Sequence, residues 1–338
     1  MKIILTGGGT GGHIVPIINI GKEFERMGDT ILFVGSKYGI EKEIEIPFKR
    51  LLLPMSGWVR RNLIQKIVFF PKALFSKVIG LLVIWEFRPD IILTTGGFAS
   101  IPIVFASFLL GKRICLIELN CIPGLGALVF SRISKLILLP MHTAQKYFKK
   151  QKIVLIPPPI SLKIKKGNRK EGIKYFSLDS NKKTILIFGG SRGAKYLIEL
   201  GEKLAQLLRG KDFQFIIQGK AHQSEGNIKY VKFIERMDLA YSVSDVVISR
   251  AGAMTIFELM VVGLPAILIP YPYSYRDHQY YNAEYLKNIR ENIYVLREED
   301  VDLDTVVSIV QKIAGRRQKV EISNPVQGIV KEIRNYVW

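Results

Sequence analysis

Gly7, Gly8, Gly9, Thr10, Gly11, Gly12 and His13 form the stretch of this chain richest in chemistry, and they directly follow the apolar residues 3–5. Residues 3–5 read as a buried strand and 15–27 as a helix. A glycine-dense turn between strand and helix lets backbone N–H groups reach a phosphate with no Cβ in the way. His13 ends the same turn, and histidine is the side chain best suited to moving a proton near neutral pH. An anion cradle beside a candidate base is the start of a catalytic site. The plainer alternative for His13 is a helix-start residue that caps or packs. The spacing of Gly7, Gly9 and Gly12 also fits the dinucleotide fingerprint. That fingerprint needs an acid at the end of the second strand to hold a ribose diol. Here Val34 is followed by Gly35, Ser36 and Lys37, and the first acid is Glu41, which disfavours a redox dinucleotide enzyme.

A second glycine turn, Gly189, Gly190, Ser191, Arg192 and Gly193, follows another apolar run. One hydroxyl and one guanidinium beside a tight turn could hold a diphosphate leaving group without a metal; a turn with an exposed Arg is the alternative. Further on, 249–258 runs from a strand end into a helix. Glu258 there could accept both hydroxyls of a ribose, or could pair with Thr255 as a capping box. His278 and Gln279 sit in a polar loop entering a helix at a strand's carboxyl end, where open α/β sheets bind ligands. Asp300 and Asp302 imitate a metal-binding pair of acids but read as helix-start charges. No catalytic metal and no cofactor are expected.

The elements that must position these residues follow from composition and pattern. At 338 residues the chain has room for two domains of about 150 each. Lys and Arg number 49 against 29 acids, a formal charge of +20, which favours polyanionic partners or a basic solvated surface. No nucleic-acid module is recognisable, so no specific nucleic-acid partner is expected. Cys115 and Cys121 read as reduced thiols of a cytoplasmic protein without a signal peptide. The apolar runs 78–85 and 101–110 fall short of the ~18–20 residues that span a bilayer. Within 62–87, Phe69, Phe70, Leu74 and Phe75 alternate with Lys66, Lys72 and Lys77, Pro71 reads as a helix start, and Phe108 extends the patch. That mixture suits an anionic membrane surface; a helix buried between sheet and neighbour is the other reading.

Short apolar runs alternating with helical patterns predict parallel α/β units. Strands are expected at 3–5, 31–34, 91–93, 114–117 and 136–138, then at 185–188, 215–217, 246–249 and 266–270. The three prolines at 157–159 and the basic stretch 163–172 predict a linker. The expected organisation is a Rossmann-like domain over 1–157, a linker over 158–172 and a second Rossmann-like domain over 173–324. A helix at 325–338 is expected to pack back on the first domain.

Taken in order, these segments resemble the MurG family, the two-domain GT-B glycosyltransferases of peptidoglycan synthesis. The shared motifs are 8–13 followed by Pro16, then 95–100, Glu118 and Asn120, 123–125, 189–194, 249–258, 263–265, and His278 and Gln279 through Asn282 and Ala283. The resemblance implies an α/β GT-B fold, two Rossmann-like domains with parallel sheets facing a central cleft. It implies inverting, metal-independent transfer of N-acetylglucosamine from UDP-GlcNAc to the undecaprenyl-linked acceptor lipid I, giving lipid II. The enzyme would be peripheral, on the cytoplasmic face of the inner membrane, beside cell-wall synthesis proteins. By the same resemblance Thr10, Gly11, Gly12, His13 and Asn120 face the reacting sugar, with His13 as base and Glu118 a further catalytic candidate. Ser191 and Arg192 meet phosphate, while Ala253, Met254 and Thr255 line the nucleotide. Glu258, His278 and Gln279 serve the ribose region, and Phe233 and Ile234 flank uracil. Gly8, Gly9, Gly96 and Gly97 take the acceptor diphosphate. The chain departs from the family at Ile117 and Leu119, where His and Gln are usual, and at Ser161, where an Arg is usual; Arg192 or Arg250 is expected to replace that Arg. The alternatives are a related nucleotide-sugar transferase with another acceptor, and a basic nucleic-acid-binding protein.

Overall fold

The computed structural model of the chain describes residues 1–8, 11–39, 41, 44–55, 63–148, 152–190, 195–220, 223–321 and 324–337, with the side chains of 11, 63–74 and 223 outside that description. The chain divides into two compact units, Met1–Ile160 with Asn324–Trp338, and Ser161–Ser323.

The first unit begins β1 (Lys2–Thr6), α1 (Gly11–Arg26), β2 (Thr30–Ser36), β3 (Lys49–Leu53), α2 (Leu63–Phe87) and β4 (Ile91–Thr94). It continues with α3 (Ile101–Leu109), β5 (Arg113–Ile117), α4 (Leu125–Ser131), β6 (Leu136–Leu139) and β7 (Lys152–Leu155). The strands form one parallel sheet in the order β3-β2-β1-β4-β5-β6-β7. Ile4 pairs with Leu32 on one side and Ile92 on the other. A parallel sheet joined by helical crossovers is covered on both faces, so its central strands are apolar at nearly every position; β4 and β6 are buried throughout. Ile4, Val34, Ile92 and Ile103 belong to one core cluster, and Ile114, Leu116, Ile137 and Phe130 to another.

The second unit starts with a 3-10 turn at Leu162–Lys165 and α5 (Arg169–Phe176), whose cap, Asn168, accepts from the N–H groups of Lys170 and Glu171. Then come β8 (Lys183–Phe188), α6 (Lys195–Leu207), β9 (Phe213–Gln218), β10 (Gln223–Glu225), β11 (Ile228–Val231) and α7 (Met237–Val243). β12 (Val246–Ser249), α8 (Ala253–Val262), β13 (Ala266–Leu268), α9 (His278–Ile289), β14 (Ile293–Val295) and α10 (Leu303–Ile313) complete it. The sheet order is β10-β11-β9-β8-β12-β13-β14, parallel except for the edge pair β10 and β11. Asp302 caps α10 by accepting from the N–H and hydroxyl of Thr305.

Three expectations need correction. Residues 161–172, expected as a linker, fold into the second unit, because the 3-10 turn packs on α7 and α8 and α5 packs on α7. Pro71 does not start a helix; α2 runs through it, since the apolar residues on both sides extend the helix and proline removes a single backbone hydrogen bond. Strands β3, β7, β10, β11 and β14 went unexpected. They are short and flanked by charge, and β3 and β7 expose about half their residues, so neither carries a continuous apolar run.

The chain returns from the second unit to the first as α11 (Pro325–Val337), which buries Ile329, Val330 and Ile333 and packs on α1. A charge cluster fixes this return. Asp29, 8% exposed, receives the Met1 ammonium at 2.6 Å and the Arg334 guanidinium from α11. Removing the carboxylate leaves two cations facing each other. Asp29→Ala should therefore lower the unfolding free energy by roughly 2–4 kcal/mol. Limited proteolysis should then cleave the start of α11 faster, and a wild-type urea midpoint in this variant would contradict the assignment.

Candidate functional site

In the first sheet the winding direction reverses between β1 and β4, with β2 and β3 on one side and β5, β6 and β7 on the other. Loops leaving the carboxyl ends of two such strands part in opposite directions and open a crevice. Gly8 follows β1, and Gly11, Gly12 and His13 form the first turn of α1. Thr95, Gly96 and Gly97 follow β4. Gly9 and Thr10 lie outside the described residues. Gly96 and Gly97 adopt φ of 80° and 85°, a region that disfavours any side chain. A Cβ on Gly97 would stand 3.1 Å from the Gly8 carbonyl, and one on Gly8 would overlap the Glu41 carboxylate. The two loops thus meet backbone to backbone.

His13 is tied across this junction. Its Nδ1 lies 2.9 Å from the Thr95 carbonyl oxygen, and the Thr95 hydroxyl donates to the His13 carbonyl at 2.8 Å. A carbonyl can only accept, so Nδ1 carries the hydrogen and the neutral ring has its lone pair on Nε2. This pair of contacts fixes the tautomer and the orientation of the ring.

After β5, Glu118 is 3% exposed and accepts from the Asn120 N–H at 2.8 Å, the Asn120 side-chain amide at 3.0 Å and the Gly124 N–H at 3.3 Å. It shapes the turn that presents half-buried Asn120 and starts α4. Burial pushes the Glu118 pKa up to about 7, against these donors, which favour the ionised form.

In the second sheet the reversal falls between β8 and β12. Gly189 and Gly190 follow β8; Ser191 and Arg192 lie outside the described residues. Gly252, in extended conformation, is the N-cap of α8, so Ala253, Met254 and Thr255 form its first turn. The capping-box alternative is thereby corrected: Thr255 is already inside the helix, and the half-buried Glu258 carboxylate accepts from the Tyr241 hydroxyl at 2.7 Å. Burial raises the Glu258 pKa to about 7, while the Tyr241 hydrogen bond opposes the shift. Phe233 is exposed after β11, and Ile234 is buried.

Arg276 and Asp277, with φ of 49° and 57°, lead into α9. Successive left-handed residues of this kind store strain and cluster at functional sites. They deliver His278, whose Nδ1 lies 3.0 Å from the Tyr275 carbonyl and whose pKa burial lowers, and Gln279, which accepts from the Tyr271 N–H at 2.9 Å. Arg250 does not take the place of the family's phosphate-binding Arg. Its guanidinium pairs with Glu298 at 2.6 Å, donates to the Ile269 and Pro270 carbonyls, and sits over the rings of Tyr196 and Tyr271. Those partners take its two terminal nitrogens, and the residue is 8% exposed. Ser161 caps the 3-10 turn by accepting from the Lys163 N–H. Among the described residues no cluster of three or more His, Cys, Asp and Glu could hold a metal ion.

Sequence reasoning missed Thr95 and Tyr241 as the partners of His13 and Glu258. Tyr241 lies mid-helix in an apolar segment, where no spacing rule marks it. Of the membrane patch, the side chains of Lys66, Phe69, Phe70, Lys72 and Leu74 lie outside the description. The later part of α2 exposes Phe75, Val78, Leu82 and Trp85 while burying Ser76, Gly80 and Ile84. It is therefore not sealed between sheet and neighbour. Phe108 and Leu109 of α3 are also exposed, and Lys77 lies over the Phe105 ring at 4.9 Å. Among the described residues no helix is long and apolar enough to cross a membrane.

Residues 3–139 match the glycosyltransferase family 28 N-terminal domain and residues 184–331 its C-terminal domain. The chain is 37% identical over 322 residues to an Aquifex aeolicus protein, covering 92% of this chain and 91% of that one. It is also 37% identical over 316 residues to a Flavobacterium psychrophilum protein, covering 89% and 86%. Both relatives are named UDP-N-acetylglucosamine--N-acetylmuramyl-(pentapeptide) pyrophosphoryl-undecaprenol N-acetylglucosamine transferase. Acinetobacter baumannii MurG superposes with a TM-score of 0.70 over 99% of both chains at 22% identity. A UDP-GlcNAc 2-epimerase from Neisseria meningitidis does so with 0.67 at 14% identity. Those two likenesses establish the two-domain α/β fold, which serves more than one chemistry.

The raised Glu118 pKa has a consequence for stability. Between the ordinary value of 4.5 and about 7 the folded chain binds the proton more tightly than the unfolded chain, so stability from this group is full below pH 4.5 and falls as pH rises to 7. The loss amounts to about 3 kcal/mol. Glu118→Gln should abolish it. Paired urea melts should show the variant gaining on wild type between pH 5 and pH 8, and a constant difference would refute the assignment.

Proposed function

This chain belongs to the MurG family of glycosyltransferases, and on that premise we propose that it transfers N-acetylglucosamine from UDP-GlcNAc to lipid I, with inversion and without a metal. The single observation that carries the substrate assignment is the identity, sustained over nine-tenths of the chain, with relatives bearing that activity in their names. The site geometry supports the chemistry. In this reading Glu258 accepts the ribose hydroxyls, Ala253, Met254 and Thr255 line the nucleotide, and Phe233 and Ile234 border the base. Gln279 and His278 stand near the ribose. The amino terminus of α8, whose cap Gly252 has no side chain to satisfy the first N–H groups, favours the diphosphate, with Ser191 and Arg192 as further contacts.

The first unit takes the acceptor. The backbone around Gly8, Gly9, Gly96 and Gly97 cradles the lipid's diphosphate, with Thr10, Gly11, Gly12 and Asn120 toward the sugar. His13 Nε2 removes the proton of the acceptor hydroxyl as that oxygen attacks the anomeric carbon from the face opposite UDP. One C–O bond forms, one breaks, and UDP leaves with the electron pair. The negative charge that develops on the diphosphate is met by backbone N–H groups. Glu118, buried beneath Asn120, acts by shaping its turn. The exposed apolar stripe of α2 and α3, with Lys77, supports peripheral attachment to an anionic membrane, on the cytoplasmic side where nucleotide sugars are made.

Incubation with radiolabelled UDP-GlcNAc and a short-chain lipid I analogue should give a labelled disaccharide lipid with β configuration. Transfer only to some other acceptor would favour the related-transferase alternative. His13→Ala should cut turnover by ~10²-fold or more while UDP-GlcNAc affinity holds; undiminished turnover would remove His13 from the mechanism. Leu82→Glu with Trp85→Glu should abolish sedimentation with phosphatidylglycerol vesicles yet leave turnover of the short-chain acceptor intact. Unchanged sedimentation would locate membrane attachment elsewhere.

A further inference from the structure

Glu258 lies on α8, but the group that fixes it comes from another element. Tyr241 sits on α7, is 1% exposed, and donates its hydroxyl to Glu258 Oε2 at 2.7 Å. Both ends of this tyrosine are anchored. Its carbonyl accepts from Arg317 Nη2 at 2.7 Å, and its ring meets the Phe188 ring edge-on, with centroids 6.2 Å apart. Phe188 is the last residue of β8, directly before Gly189. Tyr241 is therefore held against the end of β8, one of the two strands at the reversal point, with its one side-chain polar atom spent on one oxygen of Glu258.

We infer that Tyr241 is a positioning residue for nucleotide binding: its hydroxyl immobilises one oxygen of Glu258 and reserves the other for the ribose 2′ and 3′ hydroxyls. The inference rests on the reading of Glu258 as the ribose acceptor. Two physical arguments support it. A glutamate with three rotatable bonds loses rotamer entropy when a ligand orders it, and a preformed hydrogen bond removes that cost from binding. The carboxylate must also be ionised to accept two hydroxyls. Burial drives it toward the neutral form, and the Tyr241 hydroxyl is the group among the described residues that counters this. A tyrosine whose own ionisation is suppressed by burial remains a donor throughout the working pH range.

The test compares UDP with 2′,3′-dideoxy-UDP by calorimetry. The wild-type chain should prefer UDP. Tyr241→Phe should weaken UDP binding by about tenfold, leave dideoxy-UDP affinity unchanged, and raise the KM for UDP-GlcNAc far more than it lowers kcat. Equal losses for both nucleotides would show a merely structural tyrosine, and unchanged UDP affinity would overturn the inference directly. If the wild-type chain fails to distinguish the two nucleotides, the Glu258 reading itself falls and the inference falls with it. Should Tyr241→Phe not fold, 3-fluorotyrosine placed at position 241 by stop-codon suppression retains the donor. It should keep the wild-type preference for UDP, and losing that preference would count against the role.

Discussion

A parallel sheet can return its chain only by crossing over one face, and where the direction of winding reverses, two neighbouring loops must leave on opposite sides. That constraint governs this molecule twice, at β1/β4 and at β8/β12. Every described residue with a chemical role in the proposed reaction is held at the carboxyl end of a sheet, most of them at or beside one of these reversals. The glycines belong there for a steric reason. The backbone of the β4 loop approaches the Gly8 carbonyl so closely that a single Cβ on Gly97 would stand at 3.1 Å. His13 gains its orientation from the same approach, since its partner is a carbonyl of the opposite loop.

Each unit holds one carboxylate whose ionisation is opposed by its surroundings. Glu118 directly follows β5 and Glu258 lies on α8, the helix that follows β12; each is raised to about 7 by burial, and each is countered by donors. In the first unit the donors are the N–H groups of one turn, so the carboxylate builds the loop. In the second, the donor is one tyrosine from a separate helix, which leaves Glu258 with capacity for a ligand. The same comparison separates the arginines. Arg250, paired with Glu298 and set over two tyrosine rings, ties the loop after β12 to the segments that follow β13 and β14. A guanidinium whose two terminal nitrogens are both taken in this way is part of the scaffold, although the sequence offered it as a replacement for the Arg missing at Ser161.

Apolar runs and glycine turns were enough to predict two doubly wound α/β units, because central parallel strands are buried on both faces and cannot hide their composition. The edge strands were illegible for the converse reason: half-exposed segments such as β3 and β7 carry charges that erase the pattern. The basic stretch after Pro159 misled in the same way. Its prolines and lysines describe a surface, and a surface segment can be a linker or a capped helix such as α5 depending on what lies beneath it.

The sequence by itself therefore determined the fold class, the two phosphate-suited turns, and His13 and Glu258 as polar residues of the helices that follow β1 and β12. These are local properties, set by residue type and by neighbours within one turn. Only the tertiary structure decided that Nδ1 of His13 is held by Thr95, that Thr255 and Glu258 make no capping box, that Arg250 is spent on Glu298, and that Tyr241 grips Glu258. The partners in the first, third and fourth of these lie 82, 48 and 17 residues apart, and no spacing along a chain encodes a contact made through the fold.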